Sequence, residues 1–225
     1  MKNLKIYALL SIIMLFISGC ASSKSEFALI DKSKMTNEAL IIGSFSRNLG
    51  NNYIHKTSFD IVTLNHDYVK RVFDAAGETL SLANNPYSFE NDFVYKSSQG
   101  SIFSTMIPEG IYYITNYIAG KGSGGFIGNY EQKVSVKAGD IVYIGDIKFE
   151  PILRTHPLYD NKKNIVSANC IISNQLDRDF NYFKNKYKID SFKKENIKVL
   201  VEEKKFNLGS FQSNGSPFII FVPTL

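Results

Sequence analysis

Beyond residue 38 the apolar residues come in short runs, punctuated by glycine, proline and asparagine. The runs at 39–46 (ALIIGSFS) and 58–64 (SFDIVTL) are β-branched and aromatic, and the turn-rich NLGNNYIH lies between them, so both predict strands. A strand is predicted at 91–98, closed by Ser98-Gln99-Gly100, with two more at 101–106 and 111–119. Pro108 and Gly110 separate the last two, a pair suited to a turn. Val134 and Val136 alternate with Ser135 and Lys137, the mark of a half-buried strand over 129–136. Gly139 then turns the chain into 141–149, whose nearly unbroken apolar run predicts an interior strand. The run 164–173 adds one more.

One segment has a different period. Leu176, Phe180, Phe183 and Tyr187 fall at i, i+4, i+7 and i+11, which predicts an amphipathic helix over 174–188. Asn174 is placed to cap it, Asp177 lies near the positive end of its dipole, and Lys184, Lys186 and Lys188 lie near the negative end. A weaker helical pattern covers 67–76 (DYVKRVFDAA). After the main helix come NIKVLVEEKKF and, past the turn signal Asn214-Gly215, the run FIIFVPTL. Many short strands at close spacing predict a mainly β chain: an antiparallel β-sandwich with one late amphipathic helix and a C-terminal strand extension. Strand–helix alternation, which an α/β fold requires, is missing.

The first twenty residues follow other rules. Lys2 and Lys5 form a positive start, Ile6 to Ile17 an apolar stretch, and Ser18-Gly19 a small-residue cleavage point, the layout of a secretory signal. The apolar stretch is shorter than the ~20 residues a spanning helix needs. FISGC resembles the lipobox of bacterial lipoproteins, with Ser18, Gly19 and Cys20 matching and Phe16 and Ile17 standing where leucine is preferred. The resemblance implies a cut before Cys20 and acylation of that cysteine; ordinary signal cleavage beside a chance cysteine is the plainer alternative. Several acyl chains on one residue give a firm anchor, because each buried CH₂ contributes about 0.8 kcal/mol and a single chain binds only reversibly. The predicted organisation is therefore a signal peptide at 1–19, a lipidated cysteine and short tether at 20–38, a β-sandwich at 39–173, and a helix with C-terminal strands at 174–225 packed on the same domain.

Charge refines this little. The formal net charge is +5, and removing Lys2 and Lys5 leaves about +3. So mild a balance suits a solvated envelope domain and excludes the dense basic patch of a nucleic-acid binder. Cys170 would have no partner once Cys20 is acylated, and its apolar surroundings (IVSANCIIS) make it a small buried hydrophobe.

The chemistry-bearing residues form no recognisable constellation. Gly120, Gly122 and Gly125 make a formal G-x-G-x-x-G, but the dinucleotide motif needs a following helix, and FIGNYEQKVSV reads as strand. A hairpin tip joining the strands at 111–119 and 129–136 is the expected role. His55, His66 and His156 show no metal-ligand spacing, and His66-Asp67 reads as a surface turn. Glu202-Glu203 beside Lys204-Lys205 reads as a solvated strand face. Tyr113 and Tyr117 are expected to share a face with Tyr112 nearby, serving either cross-strand packing or a glycan or peptide platform. No catalytic residue, cofactor or metal is assigned.

IPEGIYYITNY, VSVKAGDIVYIGDI and DRDFNYFKNKY together resemble a group of bacterial lipoproteins of unknown function whose soluble part is similar to the carboxypeptidase-regulatory or transthyretin-like β-sandwich. The likeness covers about residues 39–188 and brings no catalytic residues. It implies an envelope protein that binds or scaffolds: membrane lipid through acylated Cys20, with another envelope protein or peptidoglycan as partner, and no nucleic acid. Ala21 rather than aspartate after the cysteine implies the periplasmic face of the outer membrane, with a lipoprotein on the cell-membrane surface as the alternative. The rival class is an envelope hydrolase whose residues meet only in three dimensions.

Overall fold

The computed structural model describes residues 33–50, 54, 56–73, 91–121, 124–156, 159–187, 189 and 191–212. Twelve strands and one α-helix follow in order: β1 Glu38–Asn48, β2 Lys56–Val62, β3 Val69–Phe73, β4 Phe93–Tyr95, β5 Ser98–Pro108, β6 Gly110–Lys121, β7 Gly124–Gly128, β8 Gln132–Val136, β9 Ile141–His156, β10 Tyr159–Ser173, α1 Leu176–Tyr187, β11 Ile197–Val199 and β12 Lys204–Gln212. The chain is mainly β with one α-helix, and its strands form a curled, open, half-barrel sheet. The sheet runs β3-β2-β6-β7-β12-β10-β9-β1-β5-β4, with β8 on β6 and β11 on β9.

Two features depart from a purely antiparallel two-sheet arrangement. β12 pairs β10 through Lys204–Leu208 and β7 through Gly209–Gln212, so it joins the two halves into one sheet. β1 and β11 each run parallel to β9. Parallel neighbours cannot be joined by a tight turn, and here the connections are long: residues 49–140 separate β1 from β9, and β10 and α1 lie between β9 and β11.

The concave face holds the core. Ala39, Ile41 and Phe45 of β1, Phe59 and Ile61 of β2, Phe103 of β5 and Phe149 of β9 are all buried. Phe45 meets Phe59 at 5.6 Å and Phe103 at 5.0 Å, so the two halves touch across this core. β1 is buried through both faces from Ala39 to Arg47. Its even-numbered residues, Leu40, Ile42, Ser44 and Ser46, point away from the concave core toward α1. The helix starts where expected: the Leu176 N–H donates to Asn174 Oδ1 at 3.1 Å, an N-terminal cap.

The buried helical face is Leu176, Asp179, Phe183 and Tyr187. Phe180, expected on that face, is only half-buried, and the Lys184 ammonium lies 5.9 Å from its ring centre. The stripe runs i, i+3, i+7, i+11 and passes through an aspartate. The helical reading of 67–76 is also corrected, since Val69–Phe73 is β3, paired along its length with β2. Thr63 to Tyr68 form the hairpin turn between them, closed by Thr63 N–H to Tyr68 O at 3.1 Å. Ser98-Gln99-Gly100 opens β5 rather than closing the strand before it.

The Gly-rich stretch is a strand in its own right. β7 pairs β6 on one side, with Gly120 opposite Gly125, and β12 on the other. The partner of β6 in this hairpin is therefore 124–128, while β8 pairs an earlier part of β6. Gly128 has a packing reason: a Cβ there would fall 2.5 Å from Leu208 Cδ2 and 2.9 Å from Phe206 Cε2. Residues 122 and 123, and with them Gly122 of the formal motif, lie outside the described residues, as do Cys20, His55, Asn214-Gly215 and FIIFVPTL.

Candidate functional site: a buried Ser–Asp–Arg cluster beneath the helix

The densest group of ionisable side chains among the described residues lies between the convex face of the sheet and the first turn of α1. A β-bulge makes it possible. Along β9, Tyr143 and Asp146 are three residues apart, and in a regular strand they would face opposite ways. The pairing with β1 slips between Ile42↔Tyr143 and Ser44↔Asp146, leaving Gly145 extra on β9. Gly145 sits at φ 115, a conformation that L side chains rarely adopt. Tyr143 and Asp146 consequently both face the helix, beside Ser44 and Ser46 of β1.

Ser44 Oγ is the hub, 2.8 Å from Asp146 Oδ1 and 2.7 Å from Asp179 Oδ2. Arg178 donates from Nη2 to Ser44 Oγ at 2.9 Å and from Nε to Asp179 Oδ1 at 2.6 Å, and its Nη2 also lies 3.2 Å from Asp146 Oδ1. Ser46 donates to Asp146 Oδ2 at 2.8 Å. The Tyr143 hydroxyl donates to Asp179 Oδ2 at 2.6 Å and accepts from the Gln175 N–H at 3.3 Å. The Arg178 guanidinium stacks on Phe93 at 4.2 Å, which closes the cluster from the β4 side. Asp146 and Asp179 are 3% and 2% exposed, so water does not reach the carboxylates.

Burial shapes the electrostatics. It raises the Asp179 carboxyl above the ordinary range; Arg178 opposes the shift and Asp146 reinforces it. Burial also raises the Tyr143 phenol, helped by the negative field of Asp179, so this hydroxyl keeps its proton and stays a donor. Burial alone would lower the Arg178 guanidinium, but the charges of Asp146 and Asp179 outweigh it and raise it. The chemical outcome is a fixed latch. Three further contacts extend it along the helix: Tyr182 on Phe93 at 5.4 Å, Lys186 Nζ to Asp92 Oδ2 at 2.6 Å, and Lys186 Nζ to the Ile102 carbonyl at 2.7 Å.

A second ion pair, between buried Asp60 and half-buried Arg71, lies elsewhere in the sheet. Arg71 of β3 donates to both oxygens of Asp60 at 2.6 and 2.8 Å, and Asn116 Nδ2 donates to Asp60 Oδ2 at 3.0 Å. Asn116 adopts φ 51 where β6 bulges against β2. That bulge corrects the tyrosine expectation: Tyr112 and Tyr117 share the core face and are buried, while Tyr113 is not their partner.

The sequence-level candidates are not drawn together. His66 sits exposed at φ 55 in the β2–β3 turn, and its neighbour Asp67 accepts from Thr63. His156 ends β9, with its side chain outside the description. Glu202, Glu203, Lys204 and Lys205 are exposed, as a solvated face should be. Cys170 is fully buried, and burial, with the nearby Asp146 charge, raises its thiol well above the ordinary value, so it packs as an inert hydrophobe. Among the described residues no cluster of three metal-ligating side chains occurs, and no helix is long and apolar enough to cross a membrane. Comparison with family models, curated proteins and solved structures returns no match.

Proposed function

We propose that this chain is an envelope lipoprotein, cut before Cys20 and acylated there, whose β-rich domain works as a binding or structural module. The observation that carries the reading is the leader MKNLKIYALLSIIMLFISGC: the positive Lys2 and Lys5, a short apolar stretch, small residues and then the cysteine. The placement we favour is the periplasmic face of the outer membrane, from Ala21 after the cysteine, with a peptidoglycan or envelope-protein partner. We read the curled sheet as a sandwich whose two layers have been merged by β12; the Phe45–Phe59 contact across the core supports this.

The buried cluster favours a module over a hydrolase. Its serine, carboxylates and arginine are spent on one another, and a nucleophile or general base has to be within reach of a substrate atom. The test is metabolic labelling with a radioactive fatty acid. Wild-type protein should take up label and sediment with membranes, whereas Cys20→Ala should stay unlabelled and be released. Label surviving in Cys20→Ala would overturn the assignment.

A further inference from the structure

We propose that Asp179 keeps a proton at its contact with Ser44, beside Asp146, so that docking of α1 binds a proton and loosens when the pH rises. The argument is a count of hydrogens. Ser44 Oγ lies within hydrogen-bond distance of a carboxylate oxygen on each aspartate, 2.8 and 2.7 Å away. A hydroxyl has one hydrogen and two lone pairs. Arg178 Nη2, 2.9 Å away, is a donor only and takes one lone pair. The serine hydrogen serves one carboxylate. The other contact then sets a lone pair against a carboxylate oxygen, which is repulsive unless that oxygen itself carries a hydrogen. With one proton on the pair every position is filled: Ser44 donates once and accepts twice.

The neighbours cannot supply the missing hydrogen. Tyr143 receives the Gln175 N–H and gives its own hydrogen to Asp179. Ser46 gives its hydrogen to Asp146 Oδ2. The charges agree with the count. From the helix side Asp179 faces Arg178; from β9 it faces Asp146 and the neutral Tyr143; from β1 it faces Ser44, while Ser46 holds Asp146; β4 contributes the Phe93 ring over Arg178. Cys170 of β10, a protonated thiol, adds no charge behind Asp146. Two carboxylates and one guanidinium would leave a buried net negative charge, whereas one proton makes the cluster neutral, the arrangement burial favours.

The sign follows. An aspartic acid in the unfolded chain releases its proton near pH 3.9, and burial makes folded Asp179 hold it to higher pH. The folded chain then binds one proton more than the unfolded chain, so stability falls as pH rises from about 4 to the point of release and is level beyond it. Over that window the unfolding equilibrium constant should gain about tenfold per pH unit from this pair. Asp179→Asn replaces the acid by a neutral group of the same shape whose NH₂ reaches Ser44, leaving Asp146 paired with Arg178.

The experiment combines two readouts on the full chain. Infrared spectra of protein labelled with ¹³C-aspartate should show the carbonyl stretch of a buried protonated acid that persists above the pH at which free aspartate, near 3.9, has lost it. That band should vanish on alkaline titration, together with faster amide exchange in α1. Urea unfolding across the same pH range should lose the tenfold-per-unit component in Asp179→Asn. A protonated-aspartate band in the folded wild type that disappears along with that of free aspartate, near pH 3.9, would overturn the proposal, and this holds even if the variant does not fold. An Asp179→Asn protein with the wild-type pH slope would overturn it too.

Discussion

Arg178→Met is the sharpest perturbation of the cluster. Methionine keeps the apolar bulk and helix propensity of the arginine stem and removes the guanidinium. That deletes the 2.6 Å contact to Asp179, the 3.2 Å contact to Asp146, the donor to Ser44 and the stack on Phe93. The Arg178 side chain is 6% exposed and the two carboxylates are 3–4% exposed, so solvent cannot take over. Removing one partner of such a pair typically costs about 3–5 kcal/mol, because the other charge is left buried and uncompensated. With a urea slope of roughly 1–3 kcal/mol/M, the midpoint at neutral pH should drop by about 2 M. The chain has 13 tyrosines and no tryptophan, so near-ultraviolet tyrosine dichroism is the probe. Adding Asp179→Asn to Arg178→Met should cost less than the two single changes summed, since groups in one network do not add. A midpoint within about 0.3 M of wild type, with unchanged slope, would refute the idea that the guanidinium compensates buried charge.

Two further expectations use the same assay. Phe183→Ala removes a ring that is 1% exposed and packs on Tyr187 at 5.0 Å, so it should cost about 3–5 kcal/mol, while half-buried Phe180→Ala should cost clearly less; equal losses would contradict the observed helix face. Gly145→Ala puts a Cβ at φ 115, 3.1 Å from Ile172 Cγ2 and 3.2 Å from the Ser173 carbonyl, and should cost about 1–3 kcal/mol; an unchanged midpoint would mean the bulge relaxes without strain.

The strands were legible because period-2 alternation and turn residues report locally on a half-buried sheet. The runs at 39–46, 141–149 and 164–173 lie within β1, β9 and β10. The misread segment at 67–76 shows why local pattern fails when it is short. Val69, Val72 and Phe73 fit a helix stripe as well as a strand, and hairpin pairing with β2 decides between them. The strand inside the Gly-rich hairpin, 124–128, was hidden for another reason. Glycine lowers strand propensity, yet β7 needs a bare backbone where β12 presses Phe206 and Leu208 against it. Facing was the least legible property. One extra residue reverses every side chain beyond it, and only Gly145 and Asn116 hint at where the extra residues sit. The cluster left one readable trace: Asp179 lies three residues after Leu176 and four before Phe183, an acid in the middle of an apolar stripe, and a buried acid needs partners.

Those partners also explain why α1 docks in one position. Leu176, Phe183 and Tyr187 supply the apolar area, at about 1.5–3 kcal/mol for a fully buried aliphatic or aromatic side chain. Apolar contacts tolerate sliding, because a helix moved by one turn, about 5.4 Å, presents a similar stripe. The cluster does not tolerate it. Displaced by a turn, Asp179 would lose Tyr143 and Ser44, and Asp146 would lose Arg178 with no water to replace it. A buried charge stripped of its partner costs several kcal/mol, comparable to the whole stability of a domain of this size. The ion cluster contributes little net stability against an apolar substitute of the same shape, but it penalises every other register. Lys186, bridging Asp92 and the Ile102 carbonyl two turns further along the helix, fixes the same register from the opposite end.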